Sequence, residues 1–284
     1  MNDVLQKIVE RTKERIANEP ADRAAAERAA RERKPFAFSE ALRRDGVNII
    51  AEIKAASPSA GPIVPDPDVE RIAGDYARGG AAAVSIVTEP DFFRGSRDWI
   101  ARAKTSGLPV IMKDFVIAPS QLINGIAAGA DAVLLLASLL DGRRIRELVG
   151  LLDAYGCDAL VEAHDEQELE RALEGGARLI GVNNRNLRDF SVDLGTSERL
   201  AALIPDGVLK VAESGIKTAA DVDRLRAAGF DAFLVGESLL RQSDRAAAVR
   251  ALRLRHPEPA ELQAERGEGS ENVGNIRRAT LLAS

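Results

Sequence analysis

Eight short apolar runs recur along this chain at intervals of about 20 to 35 residues, with a helix-length amphipathic stretch between each and the next. They cover residues 48–53, 83–87, 109–112, 132–136, 159–161, 179–182, 208–211 and 232–235. Each is close to continuously apolar, as strands buried on both faces must be. Most follow a helix-ending glycine, as in Gly79-Gly80-Ala81, Gly129-Ala130-Asp131, Gly175-Gly176-Ala177 and Gly229-Phe230-Asp231. A helical repeat array is excluded, because the runs are too short and too β-branched. An open doubly wound sheet would share these local features. Eight successive units favour closure into a (β/α)8 barrel, an α/β fold.

The barrel pattern occupies residues 46–254 of the 284. Before it, residues 1–45 form a charged extension in which Leu5, Ile8, Val9 and Ile16 recur at helical spacing. The stretch from Ala24 to Arg33 is expected to be a solvated helix. After it, residues 255–284 read as a peripheral or disordered tail: 257–275 are rich in Glu, Gly, Pro and Ser, and 276–284 could form a short helical turn.

Composition narrows the function classes. A net charge of −5 lacks the basic excess of a dedicated nucleic-acid binder. The single cysteine, Cys157, rules out an internal disulfide and fits a reducing compartment. With only His164 and His256 beside it, nitrogen and sulfur ligands are too few for a typical zinc site, and no metal is expected. Neither a secretory leader nor an apolar run long enough to span a bilayer is read, so the expectation is a cytoplasmic protein without a membrane partner, a monomer or weak homo-oligomer.

In such barrels the chemistry sits at the C-terminal ends of the strands. The first run ends Ala51-Glu52-Ile53-Lys54, and alternation along a strand places Glu52 and Lys54 together on the inner face. The third continues into Lys113, the fifth into Glu162, the sixth into Asn183 and Asn184, and the seventh into Glu213 and Ser214. Any one of these could be a solvated loop position. Five converging on one rim are hard to explain that way, because buried charge is costly unless paired or used. Glycines after the last two strands, in Glu213-Ser214-Gly215 and Gly236-Glu237-Ser238, suit a phosphate cradle, with a following helix N-terminus to add its dipole.

These residues carry a resemblance to a known family. Ile50-Ala51-Glu52-Ile53-Lys54 with Ser57-Pro58-Ser59, Phe92-Phe93-Arg94-Gly95-Ser96 and Lys113-Asp114-Phe115 resemble motifs of the indole-3-glycerol-phosphate synthases. So do Leu160-Val161-Glu162-Ala163-His164-Asp165, Gly181-Val182-Asn183-Asn184-Arg185-Asn186-Leu187, Ala212-Glu213-Ser214-Gly215-Ile216 and Val235-Gly236-Glu237-Ser238. The likeness runs in order from the N-terminal helix to about residue 250, and it implies that the extension of residues 1–45 covers the barrel mouth. Ala60, Met112 and Ala118 depart from it, standing where lysine, arginine and an acidic residue are frequent.

The resemblance implies a carbon–carbon carboxy-lyase of tryptophan biosynthesis, needing no cofactor and acting on a phosphorylated small molecule. It implies Lys113 as general acid and Glu162 as general base. Lys54 would hold the substrate's anionic side, oriented by Glu52, while Asn183, Glu213 and Ser214 position its hydroxyls and carboxylate. Ser57, Gly215, Gly236 and Glu237 would hold phosphate, with Arg185 a weaker candidate. Pro58, Phe93, Phe115, Leu134 and Leu136 would form a slot for the aromatic ring. His164 is expected to be a satisfied strand-end histidine, and Asp114 to orient a loop. Two other classes stay open: a Schiff-base aldolase-type barrel with Lys113 or Lys54 as nucleophile, and a non-catalytic phosphate-binding barrel.

Overall fold

In the computed structural model, which describes residues 3–186 and 189–254, the apolar runs become eight parallel strands. They are β1 (Asn48–Ile53), β2 (Ala83–Val87), β3 (Val110–Lys113), β4 (Ala132–Leu136), β5 (Asp158–Ala163), β6 (Leu179–Asn183), β7 (Leu209–Glu213) and β8 (Ala232–Val235). Each pairs with its sequence neighbour, and β1 also pairs with β8, so the sheet closes on itself. Closure excludes the open doubly wound alternative.

Alternation divides the apolar residues into two layers. Ile49, Ala51 and Ile53 of β1, with Val84, Val133, Val161, Val182 and Phe233, pack outward against the helices. Ile50, Ile111, Leu134, Leu160, Val211 and Leu234 fill the barrel interior. Several strands run on past their apolar runs. Lys113 pairs with Val87, Glu162 with Leu136 and Gly181, and Asn183 with Glu213. Lys113, Glu162, Asn183 and Glu213 therefore sit on ladder positions, whereas Lys54, Asn184 and Ser214 lie just past the ends of their strands.

The helices are α1 (Asp3–Ile16), α2 (Arg23–Glu32), α3 (Ala37–Leu42), α4 (Val69–Gly79), α5 (Trp99–Lys104), α6 (Pro119–Ala127), α7 (Gly142–Ala154), α8 (Glu166–Glu174), α9 (Gly195–Ala201), α10 (Ala219–Ala227), α11 (Glu237–Leu240) and α12 (Arg245–Arg253). Aspartate side chains cap many N-termini, as Asp141 accepting from the Arg144 N–H and Asp165 from the Glu168 N–H do. Gly80 ends α4 in the left-handed region, its N–H returned to the last turn, where a side chain would be strained. A further device was invisible as a pattern. Asp131 and Asp231, each just before a strand, accept the backbone N–H of Val110 and Lys210 on the strand alongside and pin the registers.

The first three helices take different places. α1 buries Leu5, Ile8 and Thr12, and Leu5 and Ile8 line the cavity at the C-terminal ends of the strands. α2 is less solvated than its Ala/Arg/Glu sequence suggests: Ala26 is fully buried, and α2 packs along α6, where Asn124 bonds Asp22 and Pro20 of the preceding turn. α3 sits at the opposite end of the barrel. Its Phe38 and Leu42 join the interior cluster beside the strand starts Ala83, Ala132, Leu179 and Ala232. Among the described residues no helix is long and apolar enough to cross a membrane. His256 and the segments 257–275 and 276–284 lie outside the described residues, as does Leu187.

Candidate active site

A cavity of about 780 Å³ opens at the C-terminal ends of the strands. Its lining includes every residue expected to act in catalysis or to hold the substrate: Glu52, Lys54, Ser57, Pro58, Phe93, Lys113, Phe115, Leu134, Leu136, Glu162, Asn183, Arg185, Glu213, Ser214, Gly215, Gly236 and Glu237; Asn184 and His164 lie outside it.

Its floor is a cluster of charges. Lys113 Nζ lies 2.6 Å from Glu213 Oε2 and 3.4 Å from Glu162 Oε2, bridging β3 to β7 and β5. Lys54 Nζ lies 2.7 Å from Glu52 Oε1, whose other oxygen accepts from the Ser85 hydroxyl. Asn183 Nδ2 donates to Glu162 Oε1 at 3.1 Å, and its own Oδ1 accepts the Arg185 N–H, which fixes the amide. Three buried carboxylates thus share two ammonium groups.

Burial alone would push each acid up and the lysine down. For Glu52 and Glu162 that push is outweighed by the nearby ammonium groups, and both lie below the ordinary glutamate value. Burial of the Lys113 ammonium is likewise outweighed by Glu213, Glu162 and Glu52, which hold its pKa up and keep it protonated. Glu213 goes the other way. Its burial, together with the charge of Glu162, exceeds the help from Lys113 and raises it to about 7. Burial and mutual repulsion thus favour a proton shared within the Glu162–Glu213 pair.

Two glycines make room for this cluster. A Cβ on Gly181 would sit 2.1 Å from Glu213 Oε1, and one on Gly236 would sit 2.6 Å from Glu52 Oε1 and 3.2 Å from Lys54 Nζ. Gly236 therefore has a steric task beyond any contact with phosphate. Ser214 itself adopts a left-handed φ of 66°, unusual for a non-glycine residue. The buried Asn184 holds that turn by donating to the carbonyls of Glu213 and Ser214.

The chain belongs to the indole-3-glycerol phosphate synthase family. The family model described as indole-3-glycerol phosphate synthase matches residues 5–252, nearly the whole described chain. Curated proteins bearing that name are similar over most of the chain. One from Ruminiclostridium cellulolyticum is 45% identical over 78% of this chain and 85% of its own length. One from Lachnoclostridium phytofermentans is 41% identical over 88% and 98%. One from Chlorobium chlorochromatii is 48% identical over 72% and 81%. Among solved structures, a 3-hexulose-6-phosphate synthase matches with TM-score 0.56 at 19% identity, covering 73% of this chain and 98% of that one, and shows the fold alone.

Set beside the synthase family's motifs, the three departures leave the floor intact. Met112 faces outward, its sulfur against Gly125 of α6. Ala118 precedes α6 with no side-chain acceptor, and Gln121 takes over by accepting its N–H. Ala60 donates its N–H to the Ser57 hydroxyl.

The rim divides by chemistry. On one side Phe93 and Phe115 meet at 6.0 Å between ring centroids, tilted by 40°, above Leu134 and Leu136, which also belong to the barrel interior. On the other side lie Ser57, Gly215, Gly236 and Ser238, with Lys217 and Arg241. Glu237 turns its carboxylate to Arg241, 2.9 Å away, so only its backbone is suited to an anion. Ser59, Ser238, Lys217 and Arg241 were not singled out from the sequence, nor were Phe190, Val192 and Leu194 from the loop after β6. The serines sit inside quoted motifs, whereas the loop residues follow no pattern. His164 Nδ1 donates to the Glu168 carboxylate at 2.9 Å, while its Nε2 lies 3.3 Å from Glu162 Oε1 outside hydrogen-bond geometry. Asp114 orients loops: it accepts from the Phe115 N–H, the Thr88 hydroxyl and Arg15.

Proposed function

We propose that this cavity closes the indole ring, converting 1-(2-carboxyphenylamino)-1-deoxyribulose 5-phosphate to indole-3-glycerol phosphate with release of carbon dioxide and water. The observation that carries it is the Lys113 ammonium, held between Glu213 and Glu162 on the floor of a cavity lined by Phe93 and Phe115 and by Ser57, Gly215, Lys217 and Arg241. Lys113 supplies the proton to the carbonyl oxygen as the ring carbon that bears the carboxylate attacks the carbonyl carbon. Carbon dioxide then leaves, restoring the aromatic ring. The new hydroxyl takes a second proton from the Lys54 ammonium and departs as water, and Glu162, ionised and oriented by Asn183, takes the proton whose loss completes the indole.

Lys54, aligned by Glu52, neutralises the substrate's anionic side, and Ser214 and Glu213 position its hydroxyls and carboxylate. Phe93, Phe115, Pro58, Leu134 and Leu136 receive the ring. Ser57 and the backbones of Gly215, Gly236 and Glu237 receive the phosphate, with Arg185 at the edge. The protein serves tryptophan biosynthesis in the cytoplasm, as a monomer or weak homo-oligomer.

The Schiff-base alternative needs a neutral amine, which the raised Lys113 pKa opposes. A mere phosphate binder has no use for three inward glutamates. The test is to add the substrate and follow the fluorescence of the indole product. Folded protein that forms none, or that is trapped on its substrate by borohydride, rejects this reading.

A further inference from the structure

We infer that Arg15, on the N-terminal helix, is a positioning residue that sets the gap between Phe93 and Phe115 and hence the fit of the substrate's aromatic ring. The inference rests on the reading of this cavity as the ring-closing site. Arg15 stands in the last turn of α1 and reaches two loops at once. Its Nη1 lies 3.5 Å from Glu89 Oε1, and its Nη2 lies 3.0 Å from Asp114 Oδ1.

Those two acids each shape the loop that carries one phenylalanine. Glu89, almost fully buried, accepts the N–H groups of Asp91, Phe92 and Phe93 at 3.0, 2.7 and 3.0 Å. Its carboxylate thus templates the turn that presents the Phe93 ring. The Phe93 carbonyl in turn accepts the Ala56 N–H, linking the turn to the segment with Ser57 and Pro58. Asp114 Oδ1 accepts the Phe115 N–H at 2.8 Å on the same oxygen that meets Arg15. Thr88 ties Asp114 to the end of β2, but the turn beyond it, 91–93, is joined to the Asp114 turn through Glu89 and Arg15.

Arg15 meets the two carboxylates with separate nitrogens of one planar guanidinium, whereas a lysine would have to bring its single nitrogen within reach of both. Docking of α1 does not depend on this bridge. Leu5, Ile8 and Thr12 are buried beneath the helix, and Glu19 just beyond it pairs with Arg97. What the bridge fixes is the aromatic pair.

The experiment uses the full-length chain with Arg15→Ala and Arg15→Lys, measuring kcat and KM for the carboxyphenylamino substrate and the inhibition constant of inorganic phosphate. Phosphate probes the anion side alone. Loss of the bridge should lower kcat/KM by about 10- to 100-fold, the scale of a small misplacement of a bound reactant, while the phosphate constant stays put. Arg15→Lys should recover little. In a Phe93→Ala background, Arg15→Ala should have no further effect, because the residue it acts through is gone. Equal losses for substrate and phosphate, full rescue by lysine, or an undiminished Arg15→Ala effect beside Phe93→Ala overturns the inference. If the wild type closes the ring and Arg15→Ala matches it, the inference alone falls. If the wild type forms no indole, the inference falls together with the site reading.

Discussion

The placement of Lys113 between two glutamates makes its role separable from theirs. A lysine held protonated is a proton donor, and Glu162, held ionised beside it, is an acceptor. Lys113→Ala and Glu162→Gln should each lower kcat by about 10² to 10⁴, the usual contribution of a general acid or base. Single-turnover runs should show an intermediate building up in Glu162→Gln and none in Lys113→Ala. Near-normal kcat in either folded variant would move the roles to Lys54 and Glu52. Glu213 makes a second, independent prediction. Its folded pKa of about 7 lies above the ordinary carboxylate value, mainly through burial. The stability tied to its protonated form is therefore present below the ordinary value and is lost as pH rises through about 7. His164 acts in the same direction: burial pulls it down, but Glu168 and Glu162 outweigh that and raise it. The difference between wild type and Glu213→Gln isolates the glutamate. Melting temperatures from pH 5 to 9 should fall less steeply for Glu213→Gln, and parallel curves for the two proteins would refute the assignment. The inward placement of Glu52, Lys54, Lys113, Glu162 and Glu213 was readable from alternation and strand position. The need for glycine at 181 was not, because the carboxylate it accommodates belongs to the next strand.

At the scale of elements, the extension before β1 divides its work between the two ends of the barrel. α1 brings Leu5 and Ile8 to the cavity wall, and α3 drives Phe38 and Leu42 into the interior from below. The apolar stripe of α1 was legible at helical spacing. The role of Phe38 was not, since Phe36 and Phe38 stand together in a charged stretch and nothing there says which of them will plug which end. Nor could the sequence pair Arg15 with Glu89 and Asp114, which lie 74 and 99 residues away and meet only once the barrel has closed. The two ends should respond differently to damage. Removing residues 1 to 20 should raise KM for the substrate well beyond any loss of thermal stability. Phe38→Ala should instead cost about 3–5 kcal/mol of stability, as deletion of a fully buried ring does, with KM little changed. Denaturant melts and steady-state kinetics on both proteins settle the matter: a truncation with unchanged KM contradicts the placement of α1, and a Phe38→Ala protein of native stability contradicts the plug.

Across the whole molecule, closure makes the last helix as necessary as the first strand. A ring of eight strands has no edge, but its outer face must be covered all the way round, and the gap where β8 meets β1 falls to α12. α12 packs on α4 so closely that a Cβ on Gly79 would lie 2.7 Å from Val249 Cβ. Val249 and Leu252 are buried there, and Arg253 Nε donates to the Val47 carbonyl at the start of the barrel. The family match ends at residue 252, within the same helix. The repeating βα pattern in the sequence stops there too. We therefore expect a sharp boundary. A chain ended after Arg255 should keep its melting temperature and close the indole ring at nearly the full rate. A chain ended after Leu240, without α12, should lose cooperative folding, because the outer faces of β8 and β1 are then open to water. Turnover and thermal melts of the two truncations distinguish the outcomes. A large drop in kcat for the longer one, with its fold intact, would mean that residues beyond 255 take part at the site.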